Sequence, residues 1–178
     1  MTWLLLIYVV PSEPSRKRAT IWRELKKVGA VYVRDGVCAL PTRLETPERF
    51  HAIADRVIEF GGQVTLVEDA RLNAASERVI VEQANTARAE EYAEVASDAE
   101  GLLAHVERER EHREFTFAEV KELEVDLGKL KRWADQIHTR DYFGSAGAVA
   151  VEELLSRCEA GLAPFREETY AHTEATAT

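Results

Sequence analysis

The stretch from Ser15 to Pro41, SRKRATIWRELKKVGAVYVRDGVCALP, constrains the fold more than any other part of the chain. Ser15 is an expected helix N-cap, and Ala19, Ile21, Trp22, Leu25 and Val28 fall on one side at ~100° per residue. Gly29 suits the left-handed position that follows a helix, so the helix is expected to stop at Val28. Val31 and Val33 then alternate with Tyr32 and Arg34, Asp35-Gly36 is a two-residue hairpin signal, and Val37 to Leu40 returns as a strand ended by Pro41.

The segment preceding this unit supplies its partner strand. Trp3 to Val10 is apolar at both parities, the pattern of a central strand covered on both faces. It is too short to cross a bilayer and lacks the basic flank of a secretion signal, so a cytoplasmic protein with no membrane association is expected. After the hairpin, Thr46 is an expected cap with Pro47 in the first turn, and Phe50, Ile53, Ala54, Val57 and Phe60 share one face before Gly61-Gly62. A last strand is expected from about Gln63 to Asp69. The order β-α-β-β-α-β is that of a ferredoxin-like module, and the fold class expected is α+β.

From Ala74 onward the pattern is helical only. Tyr92, Val95, Ala99, Leu102 and Val106 recur at steps of three and four, as do Val120, Leu123, Leu127, Leu130 and Ile137 beside Trp133. Two antiparallel helices follow from this, with a third carrying Val151, Leu154, Leu155, Cys158 and Leu162 before Pro164. The expected division is 1–72 for the ferredoxin-like domain, 73–166 for the helical domain and 167–178 for a flexible tail. A ferredoxin-like sheet puts both of its helices on one face. The apolar first strand therefore requires its other face to be covered, by the C-terminal helices or by a second copy in a homodimer.

Charge separates the two parts. Residues 1–72 hold 11 Lys/Arg and 9 Asp/Glu, while residues 73–178 hold 12 and 23, giving the net charge of −9. The whole chain repels nucleic acid at long range, so any such binding needs a local basic surface. Cys38 and Cys158 lie far apart and form no metal-ligand spacing, which points to reduced structural thiols. No GxSxG, phosphate-loop or HExxH motif is present. A non-catalytic protein without metal or cofactor is expected.

The first helix offers the candidate binding surface. Arg16, Lys17, Arg18, Arg23, Lys26 and Lys27 stand against one acid, Glu24, and Arg16, Thr20, Arg23 and Lys27 share a stripe. Phosphate contact by Arg16, Arg23 and Lys27, flanked by Lys17 and Lys26, is the functional reading; a solvated helix face gives the same pattern. Arg18 falls toward the apolar face with Trp22, where Glu68 or Asp69 can serve as its acceptor. Glu90, Glu94 and Asp98 form an acidic row at spacing four, to be relieved by a cation or by Lys129, Lys131 or Arg132. His105 and His112 lie in a charged run with pairs expected from Glu109 to Arg113 and Arg110 to Glu114. Arg140-Asp141-Tyr142-Phe143 reads either as a docking point or as a cap.

The segment IWRELKKVGAVYVRDGVCALP, with the Trp22-Arg23, Gly29, Asp35-Gly36 and Leu40-Pro41 landmarks, resembles the N-terminal domain of the chromate-resistance ChrB family. Tyr92, Leu127-Gly128-Lys129-Leu130, Trp133 and Arg140-Asp141 extend the resemblance through the helical part. More distantly, the first module resembles that of PaaX-type repressors and small CRISPR adaptation nucleases. The resemblance implies transcriptional control of a chromate-efflux operon, with operator DNA on the basic helix; Arg18, Trp22, Arg140 and Asp141 are expected, from their positions in the sequence, in structural or partner contacts. An interaction module serving a separately encoded C-terminal partner domain is the alternative. Members commonly bear a further C-terminal domain, and this chain is expected to end before it. The nucleases hold metal through an aspartate after the first strand, where this chain has Val9-Val10-Pro11-Ser12, so nuclease activity is not implied.

Overall fold

The computed structural model describes residues 1–112 and 116–176. Their order is β1 (Trp3–Val9), α1 (Ser15–Lys27), β2 (Val31–Arg34), β3 (Val37–Pro41), α2 (Thr46–Glu59), β4 (Gln63–Ala70), α3 (Ala74–His112), α4 (Phe117–His138) and α5 (Ala148–Thr176). The protein is α+β, with one four-stranded antiparallel sheet and five helices among the described residues. The sheet order is β2-β3-β1-β4. The expected Glu109–Arg113 and Arg110–Glu114 pairs and the last residues of the expected tail lie outside the described residues.

Both early helices stop as the glycines require. Gly29 N–H donates to Lys26 O and Ala30 N–H to Leu25 O, while Gly61 N–H and Gly62 N–H donate to Ile58 O and Val57 O. Each is the paired bond set that closes a helix over a left-handed residue. The starts differ from expectation. Pro14 rather than Ser15 is the N-cap of α1, and no side chain caps it. Glu45 precedes α2, and Thr46 is buried inside its first turn. Its hydroxyl donates to Pro41 O at 2.8 Å and accepts from Arg43 N–H at 2.7 Å, so it fastens the β3–α2 turn.

The chain divides into two compact units, residues 1–86 with 140–143, and residues 87–139 with 144–178. Helix α3 starts at Ala74, and the change of unit between Thr86 and Ala87 falls within it. In the first unit Leu4 and Leu6 meet Cys38 and Leu40, Ile21 and Leu25 of α1, and Phe50 and Val57 of α2 in one core. The opposite face of the sheet is half covered. Trp3 and Ala39 are buried with Ile80, beside partly buried Leu5, Val31, Val81 and Phe143. Ile7, Val9 and Val33 stand 43, 67 and 40% exposed. The both-faces expectation for β1 therefore holds at its start and fails at its end, because the first turns of α3 reach only the Trp3 end.

Residues Arg140–Phe143 belong to this first unit. Tyr142 Oη donates to Val28 O at 2.8 Å, Arg43 Nη2 donates to Tyr142 O at 3.2 Å, and the Phe143 ring lies 5.9 Å from that of Trp3. In the second unit α3, α4 and α5 share a core that includes Val95, Leu102, Leu123, Leu127, Leu155 and Phe165. Lys131 pairs with Glu159 and Arg166 with Glu124, so α4 and α5 run antiparallel. The third helix does not end before Pro164. It continues to Thr176 with Phe165 and Thr169 buried, because Phe165 adds another core position beyond the proline. No described helix is long and apolar enough to span a membrane.

Candidate nucleic-acid interface

The surface of α1 is set by how its buried side is anchored. Ile21 and Leu25 are fully buried and Val28 partly so, which fixes the opposite arc toward solvent. Lys17 lies near the buried side. Its Nζ donates to Phe60 O at 3.0 Å and sits 5.6 Å from the Phe60 ring centroid. A cation at the C-terminal end of α2 meets the unpaired carbonyls and negative dipole end there. Of the five residues expected to meet phosphate, Lys17 is thus engaged in holding α1 to α2.

Arg16, Arg23, Lys26 and Lys27 are all exposed. Arg23 is braced along its own helix, with Nε donating to Ala19 O at 3.2 Å and Nη2 to Thr20 Oγ1 at 3.3 Å; Thr20 in turn donates to Arg16 O at 3.0 Å. Arg23 and Thr20 are thus braced on the helix backbone, with the Arg16 and Lys27 side chains on the same side of the helix. Lys26 Nζ lies 4.8 Å from the centroid of the Trp22 ring. Glu24, the single acid of α1, is partly buried and lies on the side of Ile21 and Leu25.

Two expectations on this helix are corrected. Periodicity puts Trp22 on the apolar side, whereas it is 48% exposed. Arg18, expected beside it against Glu68 or Asp69, is exposed too, and Glu68 pairs with His51 at 2.8 Å. Both follow from one rotation. The buried arc is centred on Ile21, Leu25 and Val28 and extends toward Lys17, whose aliphatic stem passes Phe60, so Ala19, Trp22 and Arg18 turn outward.

Elsewhere the side chains serve packing or pairing. Arg140 and Asp141 are partly buried ahead of the Tyr142 and Phe143 contacts. Glu90, Glu94 and Asp98 are exposed, and two cations expected to relieve them are engaged elsewhere, Lys129 with Asp126 at 2.8 Å and Lys131 with Glu159 at 2.8 Å. Asp98 and Lys129 also line a cleft of about 590 Å³ over Leu102, Leu130 and Trp133.

Sequence reasoning misses a convergence of His105 with Glu109 and Glu119. His105 Nε2 lies 3.3 and 3.1 Å from their carboxylates, and the three donor atoms fall within 4.8 Å of one another. The i,i+4 spacing of His105 and Glu109 is visible in the sequence, but Glu119 arrives from α4. Such a set can hold a divalent cation, and a protonated His105 answers the same two carboxylates without one.

The thiols are buried and free. Burial pushes the Cys38 thiol up to about 12, beside Tyr8 and Tyr32, whose hydroxyls are 3.1 Å apart. Burial also raises Cys158, whose Sγ lies 3.3 Å from Ala99 O. Neither presents a thiolate near neutral pH.

Nothing among curated proteins or solved structures matches the chain. Residues 18–176, from Arg18 within α1 through the hairpin, α2, β4, α3 and α4 to the end of α5, match the family described as Protein ChrB, N-terminal. That match covers most of the chain, and the protein belongs to the ChrB N-terminal family.

Proposed function

We propose that this ChrB-family protein is a non-catalytic, cytoplasmic regulator of chromate resistance that binds operator DNA of an efflux operon through α1. The observation that carries this reading is the exposed arc of α1, where Arg16, Arg18, Arg23, Lys26 and Lys27 stand with no acidic residue among them. In a chain of net charge −9, this concentrates positive charge on one surface of the less acidic unit. The order β2-β3-β1-β4 with α1 and α2 on one face supports a ferredoxin-like module as the scaffold.

A homodimer is part of the proposal. Ile7 pairs in register with Val37 on β3 and Thr65 on β4, so Ile7, Val37 and the exposed Val9 form an apolar patch on the open half of the sheet, next to Arg34, which pairs with Val37 across the β2–β3 register shift. Arg34 and Asp35, opposite in sign, rim it, and a two-fold axis can set each against the other copy's counterpart. The same patch favours the second reading, an interaction module without nucleic acid.

The deciding measurement is binding of the purified chain to its own upstream duplex across a salt series. With Arg16, Arg23 and Lys27 on three phosphates, the triple alanine variant shallows the slope of log affinity against log salt by roughly 0.9 for each phosphate no longer neutralised. Its melting temperature stays near wild type, because all three side chains are exposed. An unchanged slope in the triple variant, or no salt-dependent binding by wild type, overturns the reading.

A further inference from the structure

Trp22 is the sole aromatic residue of α1, and the helix carries it on the solvent side, 48% exposed. The helix does not need it for anchorage, since Ile21 and Leu25 are fully buried. A tryptophan left in water exposes a large apolar face, and its surroundings here are ionic. Arg18 precedes it by one turn, Arg23 follows it directly, and Lys26, one turn on, holds its ammonium 4.8 Å from the ring centroid. Trp22 stands about 120° round the helix from the Arg16–Arg23–Lys27 stripe, at 3.6 residues per turn.

A ligand suited to this arc combines a polyanionic backbone with accessible flat apolar groups. Nucleic acid has both, but in a duplex the base faces are closed within the stack. An unpaired strand offers them freely, and base–aromatic stacking in a basic groove is how such strands are held without sequence preference. The Lys26 contact fits this use. An exposed cation–π contact is weak enough to be exchanged for a stacked base, which frees the ammonium for the adjoining phosphate.

We propose that Trp22 is a stacking platform for an unpaired base, so that α1 takes a single-stranded or locally opened stretch of nucleic acid, with phosphates on Arg18, Arg23 and Lys26. This rests on the reading of α1 as a nucleic-acid surface. It assigns Trp22 a ligand contact that the phosphate stripe alone does not require.

The test compares wild type, Trp22→Ala and Trp22→Phe for binding to labelled oligothymidylate and to the upstream duplex across a salt series. Polyglutamate serves as a competitor carrying charge without bases. Trp22→Ala is expected to lose roughly 5- to 150-fold in affinity for oligothymidylate, the range for removing one stacked base, with the salt slope unchanged. Trp22→Phe, which keeps a ring, stays within a few-fold of wild type. All three should melt together, since Trp22 lies outside the core.

If Trp22→Ala binds oligothymidylate within twofold of wild type, or if duplex affinity falls as far as single-strand affinity, the stacking proposal is overturned while the phosphate reading stands. Equal competition by polyglutamate also overturns it, by showing a surface that is only cationic. Trp22-dependent binding of oligothymidylate without binding of the upstream duplex supports the platform and removes the operator reading. Wild type binding neither strand form removes both.

Discussion

Gly36 shows how one residue sets the strand pairing around it. Its φ is +70°, and a Cβ there would stand 2.6 Å from Tyr8 O, so the Asp35-Gly36 turn and its approach to β1 both require glycine. Tyr8 N–H donates to Gly36 O at 2.8 Å, which brings the Tyr8 hydroxyl to Tyr32 and encloses Cys38 between strands. The enclosed thiol has a consequence for alkaline stability. An unfolded chain releases the Cys38 proton near the ordinary value of 9.0, whereas the folded chain holds it to about 12. Stability from this group is therefore fully present below pH 9 and is lost as pH rises from about 9 to about 12. Tyr8 and Tyr32, also raised by burial, act in the same direction. Urea midpoints measured from pH 8 to 11 should fall for wild type and fall less steeply for Cys38→Ala; equal slopes would remove the thiol from the account.

At the scale of elements, β1 carries two environments on alternate residues. Leu6 is fully buried while Ile7 is 43% exposed. Leu6→Ala is expected to cost about 2–5 kcal/mol, as for a packed core leucine. Ile7→Ala is expected to cost well under half as much, because its side chain already meets solvent. Equal destabilisation in chemical denaturation would place Ile7 in a covered site. The elements are legible in the sequence through periodicity and punctuation: Gly29 and Gly61 close helices, Asp35-Gly36 turns a hairpin, and Leu102 or Leu127 repeat at helical spacing. Rotation and coverage are less legible. Ala19 and Trp22 belong to an apolar set by composition, yet the packing of Ile21 and Leu25 against the sheet and α2, with Lys17 on Phe60 O, turns them outward. The first turns of α3 lack the spacing that reveals its later part, because Ile80 and Val81 face a sheet. Pro164 reads as a stop, and only Phe165 in the helical core shows why α5 continues. The Glu119 approach to His105 needs two helices and has no signature in either.

For the whole molecule, the open half of the sheet bears on assembly. Val9 is 67% exposed beside Ile7 at 43% in that apolar patch. If that patch joins two copies, sedimentation at micromolar concentration gives a species of twice the 20.1 kDa chain mass. Val9→Asp, which sets like charges together across the two-fold axis, returns it to the monomer mass with little change in melting temperature. A wild type that sediments as a monomer would leave the patch to a different partner. The basic arc of α1 is a separate surface of the same unit, so Val9→Asp also tests whether operator affinity depends on assembly.

The return of Arg140–Phe143 to the first unit has a consequence for synthesis. Tyr142, which bonds Val28 O, and Phe143, which lies against Trp3, are translated after residues 87–139 of the second unit. At typical elongation rates the interval between residue 86 and residue 143 is on the order of 3–10 s. During that interval the residues of the sheet and of both flanking helices have already been synthesised, but the Phe143 ring that lies against Trp3 has not. The last ring to cover the amino terminus is thus delivered from a much later part of the message, and a ribosome stalled between those codons holds an N-terminal unit with its closing piece not yet made.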